Sequence, residues 1–77
     1  MTALPRVSGR DMIRTLHRGG FYLSHVRGSH HYLRKPGEPG LVVVPVHGNR
    51  TLPVGTLNSI VRQAGLTAEE SSRLLQG

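Results

Sequence analysis

The feature that most limits this chain is its punctuation. Gly19-Gly20, Gly28-Ser29 and the run Pro36-Gly37-Glu38-Pro39-Gly40 cut its middle into short pieces, and five turn-forming residues in succession must end any regular element. Phe21 to Arg27 and His31 to Lys35 are rich in aromatic and branched residues, and they read as two strands turned at Gly28-Ser29. A third strand follows at Leu41 to Val46, nearly continuous in branched apolar residues, with Pro45 marking its end as an edge. Ahead of the strands, Ser8 with Asp11 has the pattern of a capping box, opening a helix to about Arg18 with an apolar stripe of Met12, Ile13 and Leu16. Behind them comes a polar loop, His47 to Pro53, then a second helix starting near Gly55 and Thr56. Its apolar face is Leu57, Ile60, Val61 and Ala64, and Gly65 stops it. Thr67 with Glu70 is another capping box, for a short last helix to about Leu75.

The order predicts an α+β fold, α-β-β-β-α with a short C-terminal helix. Its three-stranded antiparallel sheet carries helices packed on one face and leaves the other free for a ligand. Seventy-seven residues suffice for a single domain, 1–77, without room for two lobes around a cleft, so its chemistry must sit on an open face. The chain has no cysteine, which excludes disulfide frameworks and thiolate zinc sites. Leu41 to Val46 is far too short to span a bilayer, and Met1 to Ser8 lacks the apolar core of a signal peptide; no membrane association and a cytoplasmic location are expected.

Charge narrows the partner. The formal net charge is +6 and nine of the ten basic residues are arginine, Lys35 being the exception. Arginine grips phosphate with a planar fork where lysine offers a point charge, so the composition points to nucleic acid. Residues 1–66 hold Arg6, Arg10, Arg14, Arg18, Arg27, Arg34, Lys35, Arg50 and Arg62 against only Asp11 and Glu38. These cations are not gathered on one amphipathic helix, as a membrane-surface segment would require. Phe21, Tyr22 and Tyr32 are the whole aromatic set, and Phe21 reads as core, so shape-based recognition of an RNA duplex fits better than a stacking platform. Arg10, Arg14 and Arg18 recur every fourth residue and stripe the first helix, consistent with that mode or with a solvated face.

Of five histidines, His17, His25 and His47 read as surface residues, and neither a histidine pair at helical spacing nor a neighbouring carboxylate supports a metal. No metal or cofactor is expected. His30 stands out because it follows a Gly-Ser turn that lets a ligand approach the backbone, and because Arg27 and Arg34 lie nearby. If Gly28 and Ser29 are the central turn residues, Arg27 lies opposite His30 and both point to one face. A histidine beside a phosphate-binding arginine suits RNA cleavage, which needs a base for the 2'-hydroxyl proton and cations for the phosphate. Strict alternation, however, puts Phe21, Leu23 and Arg34 on that same face, a pattern that requires a bulge or another loop length.

Several of these motifs, taken in order, resemble one family. From Gly20-Phe21, through Arg27-Gly28-Ser29-His30-His31-Tyr32-Leu33-Arg34, Val44-Pro45-Val46-His47-Gly48 and Leu52-Pro53-Val54-Gly55-Thr56-Leu57, to Ile60-Val61-Arg62-Gln63-Ala64-Gly65-Leu66, the chain resembles the HicA toxins of bacterial type II toxin–antitoxin systems. The resemblance covers roughly residues 8–70. It implies a fold like a double-stranded RNA-binding domain, an endoribonuclease acting on mRNA without a metal, and silencing by a HicB antitoxin in a hetero-oligomer. It places the catalytic histidine at His30, while some relatives carry theirs one step later, at the position of His31. Pro36 to Gly40 stands where the family has a Pro-Asp-Gly type of turn, and Ser71 to Gly77 is less apolar than the family's end. The expectation is therefore catalysis by His30, with Arg27, Gly28, Ser29, His31, Arg34 and Lys35 contacting RNA. A non-catalytic RNA-binding module using the same basic face is the chief alternative, and a metal-dependent enzyme the third.

Overall fold

The computed structural model describes residues 4–76. Met1 to Ala3 lie outside it, and with them part of the N-terminal segment read for a signal peptide. The elements run α1 (Gly9–Arg18), β1 (Tyr22–Arg27), β2 (His30–Arg34), β3 (Val42–Pro45), α2 (Val54–Gln63) and α3 (Ala68–Gln76). This is the predicted α+β order, compatible with the double-stranded RNA-binding-domain arrangement. The strands form one antiparallel sheet in the order β1-β2-β3.

The first and last helices begin where the sequence predicts caps. The Ser8 hydroxyl accepts the Asp11 N–H at 3.2 Å and opens α1. Thr67 and Glu70 satisfy each other: the Glu70 N–H donates to the Thr67 hydroxyl at 3.0 Å and the Thr67 N–H to the Glu70 carboxylate at 2.9 Å. Between them, α2 starts at Val54, one residue ahead of the predicted start. Pro53 occupies its N-cap position with φ already at −58° and no side-chain cap bond.

The core is Met12, Leu16, Phe21, Leu33, Val42, Val44, Leu52, Leu57, Ile60 and Val61, joining the predicted stripes of α1 and α2 to the inward residues of β2 and β3. Both helices contact β3. At Gly9 the start of α1 meets β3 so closely that a Cβ would run into the Pro45 carbonyl oxygen, which only glycine allows. At the other end of α1, the Arg18 guanidinium donates to the Leu74 carbonyl at 2.8 Å and ties α3 down. The C-terminal segment, short of apolar residues, compensates by burying small ones: Ser71 and Ser72 are the buried residues of α3.

Strand β1 lies beyond this cover, and all six of its residues are exposed. The strand boundaries also shift by single residues, β1 starting at Tyr22 instead of Phe21 and β2 ending at Arg34 instead of Lys35. The returning strand starts at His30, one residue earlier than expected, because His30 pairs with both Arg27 and Pro45. Strand β3 is confined to Val42–Pro45, its end held where the Val46 N–H donates to the Ser29 carbonyl at 2.8 Å.

Candidate functional site

The hairpin is a two-residue turn. Gly28 takes φ +56° and no non-glycine residue in the described chain has positive φ, which matches the II′ pattern of glycine at the first central position. Arg27 is thereby the cross-strand partner of His30, with their Cβ atoms about 5 Å apart, as for any directly opposed pair. The Val46 bond to the Ser29 carbonyl braces this turn from β3.

A bulge decides what else shares the face. The register steps between Leu23 and His25, leaving Ser24 without a partner, so His25 faces Tyr32, Val26 faces His31 and Leu23 faces Leu33. Leu33 is buried and marks the helix-covered side. Because side chains alternate along a strand, His31, Val26 and Leu23 belong to that side, while His30, Tyr32 and Arg34 with His25, Arg27 and Tyr22 form the open side. The extra residue thus resolves the conflict in the simple alternation, turning Leu23 away from His30 while His25 and Arg27 stay on the face that the turn gives them.

On the open face the His25 and Tyr32 rings are stacked, centroids 4.4 Å apart and planes 6° from parallel. The bulge residue fixes the stack from one side, since Ser24 Oγ and His25 Nδ1 share a hydrogen bond of 3.1 Å. Arg27 and His30 lie at one end of the pair, and Arg34 with Tyr22 at the other. The four carboxylates are elsewhere: Asp11 on α1, Glu38 in the loop after β2, Glu69 and Glu70 on α3. The face therefore has cations, an imidazole and stacked rings, with no anion of its own.

The other residues expected to contact RNA are dispersed. Gly28 and Ser29 form the turn itself. His31 lies on the covered side, half-buried, with Nδ1 shut off from solvent and without a hydrogen-bond partner. Lys35 caps the Phe21 ring, its Nζ 5.6 Å from the centroid, and lines a cleft with Glu38, Gln63 and Glu70 on the helix side. The α1 stripe is largely committed to the fold, since Arg14 pairs with Asp11 and Arg18 bonds Leu74 and Thr15. Among the described residues no three His, Asp or Glu side chains are grouped as metal ligands would be, and no helix is long and apolar enough to cross a membrane. Sequence reasoning missed the His25–Tyr32 stack. A serine next to a histidine at mid-strand was its faint signal, and only the register makes it legible.

These features define a class: a small α+β domain with helices over one side of a three-stranded sheet and an uncovered cationic side bearing a histidine. Residues 9–66 match the family described as HicA toxin of bacterial toxin-antitoxin systems, and the chain belongs to that family. Membership implies an antitoxin partner. No curated protein matches the chain.

Proposed function

We propose that this protein is an endoribonuclease toxin that cleaves mRNA on the open face of its sheet, with His30 as the proton-transferring group. The observation that carries the reading is the pairing of His30 with Arg27 across the hairpin, on a face that holds Arg34 and no carboxylate. In this reading the His30 imidazole takes the proton of a ribose 2'-hydroxyl. The freed oxygen forms a bond to the adjacent phosphorus, the bond to the 5'-oxygen breaks, and that oxygen leaves with a proton. Arg27 holds the phosphate as charge gathers on its oxygens, Arg34 at the far end of the face takes a neighbouring phosphate, and Gly28 and Ser29 let the RNA backbone approach. Neither role calls for a metal.

The test is His30→Ala. It should lower RNA cleavage about 100- to 10,000-fold and abolish toxicity to cells, with an unchanged far-UV circular dichroism spectrum. A folded variant that still cleaves refutes His30, and loss in His31→Ala alone moves the site one residue on. If purified wild-type protein binds RNA without cutting it, the non-catalytic module is the right reading.

Inhibition follows from the same face. An acidic antitoxin of the HicB kind would cover Arg27, His30 and Arg34 in a hetero-oligomer, guided by complementary charge. The contact should bury more than about 1,000 Å². Hydrogen exchange on free and bound toxin should show protection over the β1–β2 hairpin, whereas protection confined to α3 would place the antitoxin elsewhere.

A further inference from the structure

We infer that the open face takes its RNA single-stranded, stacking one base on the exposed side of the His25–Tyr32 pair while the neighbouring phosphate lies against Arg27 and His30. The inference rests on the proposed nuclease reading and adds to it the strand state of the substrate and the group that holds a base.

The geometry of the pair is the starting point. One face of the His25 ring is occupied by Tyr32, and His25 is exposed on an edge strand with no further strand beyond it. Its other ring face is therefore available at the border of the sheet. Tyr32, half-buried in the central strand, backs the imidazole and keeps it upright, and the bond from Ser24 to Nδ1 sets its rotation. A ring fixed in this way loses little conformational freedom when a base is laid on it.

Spacing connects the platform to the cations. His25 and Arg27 are two residues apart on the same side of β1, roughly 6.6 Å along the strand, which is about the reach of one nucleotide. A base on His25 therefore brings its own phosphate to Arg27 and, across the hairpin, to His30. A duplex offers no such base, because its bases are stacked on each other and its readable surface is a broad shallow groove. A base stacked on a ring is read without regard to its identity, so the platform selects unpaired RNA over duplex with little sequence preference. The bulge at Ser24 bounds the platform, since it turns Leu23 off the face on which the two-residue turn and simple alternation place Arg27 and His25 beside His30.

The experiment uses a ten-nucleotide RNA with 2'-O-methyl sugars, which cannot be cleaved, carrying one 2-aminopurine whose fluorescence falls on stacking. Wild-type protein should bind the single strand more tightly than its duplex and quench the probe. His25→Ala should weaken single-strand binding roughly 5- to 150-fold and abolish the quenching, while His25→Phe and Tyr32→Phe, which keep a flat ring, should restore both. Binding by His25→Ala and Tyr32→Ala equal to wild type, or equal loss in His25→Ala and His25→Phe, overturns the platform. Preference for the duplex does so as well. Because the probe is uncleavable, these results do not depend on whether the protein is a nuclease, which His30→Ala decides separately.

Discussion

On the covered side of the sheet His31 shares its face with Leu33, Val42 and Val44, and two of the three arginines of the neighbouring α1 are engaged by the fold, Arg14 through Asp11 and Arg18 through Leu74 and Thr15. On the open side Arg27, His30 and Arg34 have no hydrogen-bond or ion-pair partner among the described residues. The two sides therefore use the same residue types differently. Next to packed elements an arginine is consumed as an internal donor, and its worth is a modest contribution to stability. Away from them its donors stay available for a phosphate. Counting arginines gives the charge a partner should carry, and the pairing state of each says which donors are free to meet it.

The largest contrast should come from neighbours on β2. Leu33→Ala empties a buried position and should cost about 2–5 kcal/mol. Tyr32→Ala, one residue away on the other side, removes a half-exposed ring and should cost about 1 kcal/mol, chiefly the loss of its stack on His25. Urea denaturation of both variants measures the gap. Equal costs would mean the open side carries part of the core.

Next in size is binding. Arg27→Ala and Arg34→Ala should each weaken RNA binding across all sequences, since phosphate contacts carry no base information. Each should also flatten the dependence of log K on log salt by about 0.7 for a single strand. Arg14→Ala, whose side chain is held by Asp11, should leave that slope unchanged and cost under about 1 kcal/mol of stability. Salt titrations that show Arg10→Ala and Arg14→Ala flattening the slope as much as Arg27→Ala would extend the binding surface onto α1.

A smaller effect separates the adjacent histidines. His31 Nδ1 is buried without a partner, and replacing an unsatisfied polar group by an apolar one is close to neutral or slightly stabilising. His31→Leu should therefore keep or raise the melting temperature and retain cleavage, whereas His30→Leu should keep the melting temperature and lose cleavage. A His31→Leu protein that is folded and inactive would reverse the assignment between them.

How far this was legible in sequence differs between the sides in the same way. The covered side was readable because its signals are local: Ser8 and Thr67 cap helices, Leu57, Ile60 and Val61 share a helical face, and all of these take their expected places. The open side depends on register, a non-local property, and one unpaired serine inverts the alternation of β1. The hairpin partners Arg27 and His30 could be paired from the turn alone. His25, two residues before Arg27, shares its face by the same alternation, whereas the faces of Leu23 and Tyr22 could not be read, because the bulge at Ser24 resets them. Nor could the displacement of Lys35, which the alternation of β2 carries round to Phe21.

The smallest expected effect is a pH dependence confined to the helix layer. Asp11 is held below the ordinary carboxylate range by its bond to Arg14 and then by Ser8, and Glu70 by the backbone and then the hydroxyl of Thr67. A carboxyl that is more acidic folded than unfolded stabilises the fold fully above its unfolded value, and that contribution is lost as the pH falls through the lowered one. The melting temperature should therefore hold from neutrality down to the ordinary carboxylate range and decline below it. Glu70→Gln should lessen the decline, because it removes the titration while leaving an amide oxygen to accept from the Thr67 N–H. Both carboxyls are solvent-exposed, so the change is small. The open side has no carboxylate to titrate, so short-oligonucleotide affinity should not fall along with the melting temperature over this acid range while the protein stays folded. A parallel loss of affinity and melting temperature would show that the two sides are coupled through the sheet.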